Sequence, residues 1–428
     1  MKTVNWNELS EQGKKDTLLR PAVSSKLDIE GIVTDIVTRI KAEKDKALLE
    51  FTAKLDHVTD GKIRLTEEEI GEKCARVPAE LKKAIEHAQK NVASFHERQK
   101  LEPVVMQTQP GIVCELHTHA IDSVGLYVPG GSAPLVSTVL MLAVPAKIAG
   151  CQKIILCSPP PVADEIVFAA KLCGVNEVYT IGGAQAIAAM AYGTETVSKV
   201  DKIFGPGNAF VTEAKKQVSK DYAGAAIDMP AGPSEVLVMA DASANPAFVA
   251  ADLLSQAEHG PDSQVILVTD SADVADKVNS EVDRQLELLP RKEIAAKALS
   301  ASRAIVCRDM NEGCEVSNAY APEHLILQIA NARSYLGKLR NAGSIFVGEW
   351  TPEAVGDYAS GTNHTLPTYG YAKTYSSLGL LDFMRRYTVQ ELTRDALQSL
   401  RDTVVSLTDA EGLKAHQRAV TVRLGETD

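Results

Sequence analysis

The sequence predicts an α/β protein made of two doubly wound, incomplete Rossmann-like halves with parallel sheets. Between Ser123 and Asn208, short apolar runs alternate with helical stretches through Gly-rich turns. From Glu235 to Val347 the alternation starts again, as expected of a second sheet rather than a longer first one. At 428 residues the chain also exceeds the size at which a single core stops growing.

Residues 1–21 are polar and mixed, ending Leu18-Leu19-Arg20-Pro21; they read as an N-terminal arm that packs elsewhere and carries no visible chemistry. Leu27–Asp56 and Ala79–Gln99 interleave Lys and Glu with apolar residues such as Ile32, Ile36 and Ile40, the spacing of helices covering one side of a sheet. His57, His87 and His96 sit among those charges and read as solvated. Gly111–His119 alternates like a strand, so His117 and His119 face the same way. An H-x-H pair can bind metal, but without a third donor nearby a cross-strand or surface role fits better.

Ser123–Val128 is the next strand, running into Pro129-Gly130-Gly131-Ser132-Ala133-Pro134 and an apolar helix from Val136. The unit repeats: Lys153–Cys157 precedes a helix at Ala163–Leu172, Glu177–Ile181 precedes Gly182-Gly183-Ala184-Gln185 and a helix, and Lys202–Phe204 precedes Gly205-Pro206-Gly207-Asn208 and another. Such turns point backbone amides and a helix N-terminus at an anion, and they gather at the strand C-terminal edge where ligands bind. None is the dinucleotide fingerprint, since Phe210 stands where the third Gly belongs.

After Ala231-Gly232-Pro233-Ser234 come strands at Glu235–Met239, Gln264–Val268, Ala304–Cys307, His324–Gln328 and Ser344–Val347, with a helix at Ala272–Leu286. Trp350–Leu378 reads as a long loop rich in Gly, Thr and Tyr, and loops of that length are usually functional or disordered. Met384–Leu424 reads as an amphipathic helical tail. The expected division is an arm (1–21), a first α/β domain (22–126 with 236–378), a second (127–235) and a tail (379–428).

Apolar residues at 45% and charged residues at 24% describe a globular enzyme. A net charge of −11 argues against a nucleic-acid partner. The longest apolar run, Val139–Ala149, is interrupted by Pro145 and Lys147 and is far short of the ~20 residues of a membrane span. The N-terminus begins no signal peptide. The seven cysteines (74, 114, 151, 157, 173, 307, 314) are odd in number and never in C-x-x-C spacing, which fits a reducing cytoplasm.

The chemistry concentrates in Ala251–Pro261. Asp252, Gln256 and His259 fall on one helical stripe before Gly260-Pro261 ends the helix, so the Gln256 amide oxygen and a His259 nitrogen could share an ion. The plainer reading is a satisfied, partly buried helix face, and zinc needs further donors. Four of the nine histidines (259, 324, 364, 416) lie beyond residue 250 beside polar residues, and Asp357 shares a loop with His364. Glu323-His324 follows Pro322 at the mouth of a strand, where a rigid turn can hold two titratable groups toward a cleft. Neighbours on a strand point to opposite faces, so a shared role requires the turn to break that alternation.

Leu126–Pro134, Gly182–Gln185, Phe204–Asn208, Met229–Glu235, Ser255–Pro261, Ala319–Leu325 and Gly361–Pro367 together resemble the histidinol dehydrogenases, and the resemblance spans nearly the whole chain. It implies an NAD-dependent, intertwined homodimer with one zinc per subunit, which oxidises L-histidinol to L-histidinaldehyde and then L-histidine. It implies Gln256, His259, Asp357 and, from the partner subunit, His416 as zinc ligands. Substrate would be held by Ser234, Gln256, His259, His324, Asp357, Glu411 and His416, and NAD would meet Tyr127, Gln185 and Asn208. Glu323 would activate water between the two oxidations while His324 takes the alcohol proton. The zinc would then belong to the first domain and NAD to the second. A thiohemiacetal route through Cys114 or Cys151 is the chemical alternative. At the level of function, a zinc hydrolase of a small nitrogenous substrate and a non-catalytic small-molecule binder compete with the dehydrogenase.

Overall fold

The structure is a computed structural model that describes residues 1–21, 28–130, 134–229 and 232–426. Residues 131–133 of the first glycine turn, 230–231 before Ser234, and Leu27 at the start of the first expected helix therefore lie outside the described residues. Fourteen strands are present among the described residues: β1 Lys2–Asn5, β2 Val104–Gln109, β3 Ile112–Ala120, β4 Ser123–Tyr127, β5 Lys153–Ser158, β6 Glu177–Thr180, β7 Lys202–Phe204, β8 Ala226–Ile227, β9 Glu235–Ala240, β10 Gln264–Thr269, β11 Arg303–Val306, β12 His324–Gln328, β13 Ser344–Val347 and β14 Met384–Leu392. The chain forms two compact units, one from Met1–Arg98 with Ile121–Phe383, the other from Gln99–Ala120 with Met384–Asp428.

The first unit holds both parallel sheets expected from the alternation. The smaller has order β6-β5-β4-β7-β8, every pair parallel. The chain winds from β4 outward to β6, then returns to β7 on the other side, so the strand order reverses between β4 and β7. The loops after those strands, Pro129-Gly130 and Gly205–Asn208, flank the crevice where a doubly wound sheet takes its ligand.

The larger sheet has order β1-β11-β10-β9-β12-β13, again all parallel. Every residue of β9, β10 and β12 is buried, as expected of strands covered on both faces. The N-terminal arm is more than packing: β1 completes one edge by pairing with β11. Beyond it, Arg20 donates to both carboxylate oxygens of the buried Glu235, at 2.5 and 2.9 Å, and stacks on Tyr320 at 4.0 Å. Burial pushes the Glu235 carboxyl above its usual range, and the Arg20 guanidinium works against that shift.

In the second unit, β2, β3 and β14 form an antiparallel sheet with β3 central. The helix expected from Met384 is therefore delayed, because nine residues first pair along β3. It begins at Arg394, capped by the Thr393 side chain, and ends at Glu411 with Gly412 left-handed; a short helix, Lys414–Thr421, follows. His117 stacks on its cross-strand partner Tyr387 with ring centroids 5.5 Å apart, a cross-strand contact of the kind expected for it.

His96 departs from expectation. It is fully buried, with Nδ1 donating to the Val92 carbonyl at 2.8 Å and Nε2 at 3.4 Å from the Asn363 amide. Its helix turns that face toward the core, and the charges around it in sequence lie on the other side. The expected long loop after Trp350 also contains a short helix, Glu353–Tyr358.

Candidate active site

The two sheets are joined by one short connection. β8 ends at Ile227 and β9 starts at Glu235, so the C-terminal edge of the smaller sheet feeds the N-terminal edge of the larger. Functional side chains follow that geometry. Ser234, Glu235, Glu323 and His324 all stand at or just before the first residue of β9 or β12. The glycine loops stand at the strand C-terminal edges, where ligands were expected, whereas this cluster stands at the opposite edge. The crossover helix Pro246–Ala257 must run back antiparallel to β9 and β10, and so delivers its penultimate residue Gln256 to the same N-terminal edge.

The helix stops earlier than Gly260. Its last residue is Ala257, and His259 lies in a tighter turn with its N–H on the Gln256 carbonyl at 3.2 Å. Asp252 and Gln256 face the sheet and are buried, whereas His259 is exposed at the rim. Asp252 accepts from Gln328 at 2.6 Å, and burial raises its carboxyl to about 6.

His324 is the hub. Its Nδ1 donates to the Glu235 carbonyl at 3.0 Å, which leaves Nε2 facing the recess. The Glu323 carboxylate lies 3.6 Å from Nδ1 and is itself held by the Glu235 N–H at 2.8 Å. Asp357 lies 3.6 Å from Nε2, an ionic contact too long to be a hydrogen bond. The turn before β12, with Ala321 left-handed at φ 56°, brings Glu323 and His324 to one place despite their adjacency. Burial opposes a charged imidazole here, but Glu323, Asp357 and Glu353 outweigh it and hold the His324 pKa well above the ordinary value. Burial likewise opposes the Asp357 carboxylate, and His324 with His364 and His259 draws its pKa below the ordinary value.

Glu353 is the functional candidate that sequence reasoning missed. It sits one turn before Asp357 on the Glu353–Tyr358 helix, a same-face spacing visible in the sequence, and is 2% exposed. Burial lifts its carboxyl to about 8. His324, Glu353 and Asp357 offer ligand atoms all within 4.8 Å of one another.

The donor set suits a cation. Three carboxylates converge on one imidazole, while Gln256 Oε1 and His324 Nε2 are buried without any hydrogen-bond partner. An orphaned amide oxygen beside carboxylates is costly unless something positive sits against it. Of the four expected zinc ligands, Gln256, His259 and Asp357 line one recess of about 160 Å³. His416 and Glu411 belong to the second unit, exposed on its helices. Ser234, Glu323, His324 and His364 line the same recess. His364 Nε2 lies 3.2 Å from Ser137 Oγ, and burial lowers its pKa.

The recess shares Gly205, Pro206, Lys215, Asp228, Ser234 and His259 with a wider cleft of about 1230 Å³, which the Gly205–Asn208 loop and Pro129 border. Asn208 is exposed there and caps the following helix by accepting from the Phe210 and Val211 N–H groups. Tyr127 and Gln185, the other expected NAD contacts, are buried behind the loops. The Gly183 N–H donates to the Tyr127 hydroxyl at 3.1 Å, and Gln185 donates to Asp56 at 2.9 Å. Gly205 requires its residue type, since at φ 123° a Cβ would lie 2.0 Å from the Tyr127 carbonyl oxygen. Cys151 is buried and its thiol is pushed up to about 11 by desolvation, a poor nucleophile; Cys114 lies on β3 of the second unit.

A doubly wound α/β protein with glycine loops at one sheet's switch point and a buried acid–imidazole cluster beside them has the parts of a cofactor-dependent enzyme. The histidinol dehydrogenase family model matches residues 19–424, and the chain belongs to that family of oxidoreductases of histidine biosynthesis. Among its relatives, the histidinol dehydrogenase of Vibrio parahaemolyticus is 60% identical over 424 residues, 99% of this chain and 98% of that one. That of Escherichia coli is 58% identical over 421 residues, covering 98% and 97%. The crystal structure of histidinol dehydrogenase from Elizabethkingia anophelis superposes with a TM-score of 0.96 at 47% identity, covering 99% of this chain and 98% of that one. This kinship does not favour the hydrolase or the non-catalytic binder.

Proposed function

We propose that the chain oxidises L-histidinol to L-histidine through L-histidinaldehyde, reducing two NAD molecules per turnover, as a homodimer with one zinc per subunit. The observation that carries the reading is the joining of the glycine-loop cleft to the recess that holds His324, Glu323, Asp357 and Gln256. The first domain, built on the larger sheet, would hold zinc and substrate, and the second, built on the smaller sheet, the dinucleotide. Gln256, His259, Asp357 and the partner subunit's His416 would hold the zinc, which supplies a Lewis acid that orients an amino alcohol by its nitrogens. NAD would lie along the loops at Tyr127, Gln185 and Asn208 and accept a hydride at each oxidation.

This chain's own residues supply proton transfer. With Nδ1 donating to the Glu235 carbonyl, neutral His324 presents Nε2 as the base that removes the alcohol proton as hydride leaves carbon. A cation held by Asp357 would weaken one of the pulls that favour the charged imidazole, and so would help Nε2 to serve as a base. The aldehyde has no carbinol hydrogen until water adds. Glu323, fixed by the Glu235 N–H, takes a proton from that water, and His324 then deprotonates the hydrate as the second hydride departs. Ser234, Glu411 and the partner's His416 would complete the substrate contacts.

The dimer reading is supported by the second unit's outer strand, where Val104, Val105 and Met106 are 55%, 62% and 58% exposed, an apolar edge suited to cover by a second copy. All seven cysteines are free thiols, as a reducing cytoplasm would keep them. No helix among the described residues is long and apolar enough to cross a membrane. The test is to add L-histidinol and NAD and follow reduced nicotinamide together with histidine formation. Two reduced cofactors per histidine are expected, with loss of turnover on chelation and recovery with Zn²⁺; no reduction overturns the reading.

A further inference from the structure

We infer that Arg20, in the N-terminal arm, is a positioning residue for the proposed reaction: its guanidinium fixes the Glu235 backbone from which Glu323 and His324 both hang. Arg20 lines neither the recess nor the cleft, and its role rests on the proton transfers proposed above.

The backbone of one residue aims both groups. The Glu235 N–H donates to the Glu323 carboxylate at 2.8 Å, and the Glu235 carbonyl accepts from His324 Nδ1 at 3.0 Å. A shift of residue 235 therefore misaims both side chains together. On the β12 side the ladder begins only at Val236, opposite His324, so Glu235 stands at a strand end that no earlier pair steadies. Its buried side chain supplies the anchor. One carboxylate oxygen accepts from Arg20 Nε at 2.5 Å and from the Tyr369 N–H at 2.9 Å, and the other accepts from Arg20 Nη2 at 2.9 Å. The same Nη2 donates to the Tyr320 carbonyl at 2.9 Å and the Ala321 carbonyl at 3.3 Å. Those residues lead through Pro322 into Glu323 and His324, so a single guanidinium clamps both segments that carry the pair, the start of β9 and the turn before β12.

Arg20 is itself seated on each side. The Leu19 carbonyl accepts from the Gln264 side-chain amide at 3.1 Å, and the Tyr369 hydroxyl donates to the Pro21 carbonyl at 2.8 Å. Tyr320, whose ring the guanidinium covers, donates its hydroxyl to Gln264 Oε1 at 2.9 Å. The competing role is plain docking, in which Arg20 fastens the arm and offsets the Glu235 charge without bearing on chemistry.

Two changes remove the clamp while leaving no unmatched buried charge. Arg20→Lys keeps the ion pair, but a point donor without a fork cannot hold both carboxylate oxygens and the two carbonyls at once. Arg20→Met with Glu235→Gln removes both charges and reaches the same loss by a second route, should the lysine variant not fold. Val4→Ala, which loosens β1 of the same arm away from the clamp, reports on docking alone. The full-length zinc-loaded proteins would be compared at a temperature where circular dichroism shows them folded. L-histidinol affinity would be measured by titration calorimetry, and NAD reduction would be followed in single turnovers started from L-histidinol and, separately, from L-histidinaldehyde.

Both clamp variants should slow both oxidations by about 10- to 100-fold, as misplacement by about 1 Å does, while histidinol affinity stays within about 3-fold of the parent. Val4→Ala should melt lower yet keep parental rates. Parental rates in the clamp variants would assign Arg20 to docking and overturn the inference. So would slowing confined to one of the two oxidations, a loss of histidinol affinity as large as the loss of rate, or equal slowing in Val4→Ala. A parent that reduces no NAD with histidinol overturns the proposed function itself, a result distinguishable from failure at Arg20.

Discussion

At the scale of single residues, the acids around His324 divide by what burial does to them. Glu323 is anchored by a backbone N–H, so Glu323→Gln should still bind histidinol but form histidine slower by about 10²–10⁴-fold. Initial rates with substrate titrations check this, and unchanged turnover would remove Glu323 from the chemistry. Asp252 makes a cleaner test of burial because it lies one turn from Gln256, against Gln328. Its folded pKa of about 6 exceeds the unfolded value of 3.8, so the native state binds the extra proton. The native state is therefore favoured below about pH 4, loses stability as pH rises from there to about 6, and carries a constant penalty above, on the order of 3 kcal/mol. Asp252→Asn, which keeps an acceptor for Gln328, should melt higher than the parent at pH 7 and no higher at pH 4. Equal melting curves at both values would refute the assignment. Gln256, His259 and Asp357 were legible in the sequence as donor types on a helix and in a loop, whereas His96 was misread because local charge density does not report which face turns inward.

At the scale of elements, the glycine loop after β7 is set by an ion pair. The Lys215 and Asp228 side chains pair with each other while buried. Lys215 donates to the Gly205 carbonyl at 2.9 Å, and Asp228 accepts from the Gly205 N–H at 2.8 Å, so the backbone of one residue is gripped on both sides. Removing one partner leaves an unmatched buried charge, so Lys215→Met should destabilise the protein by about 3–5 kcal/mol in denaturant titrations. It should also raise the KM for NAD more than that for histidinol. Lys215→Met with Asp228→Asn should recover stability without recovering the NAD KM; parallel recovery of both would show that the pair serves only folding. Strands β4 to β7 and β9 to β13 were legible because parallel strands covered on both faces read as apolar runs between turn signals. β1 and β14 were not, since an edge strand's pairing with a distant segment leaves no local period.

At the scale of the molecule, the α/β class could be read from alternation, but the meeting of the two sheet edges could not, because it depends on which way the chain leaves β8. The proposed contribution of Glu411 and His416 would likewise be a matter of assembly, as both are exposed on the second unit. Mixing inactive His416→Ala with inactive His259→Ala protein should restore up to about a quarter of parent activity, since half of randomly paired dimers carry one intact site of two. No recovery after verified subunit exchange would rule out a site shared across the dimer. Val105→Lys on β2 should lower the mass observed by light scattering, and an unchanged mass would place the interface elsewhere.

The narrow recess and the broad cleft share part of their lining, and on the proposed reading that layout bears on how a four-electron oxidation would proceed with a two-electron carrier. A spent carrier would have to depart midway while a reactive aldehyde waits. With the carrier in the roomy vestibule and the aldehyde in the tight inner chamber, the first can be exchanged without releasing the second, so free aldehyde should not accumulate in solution during turnover.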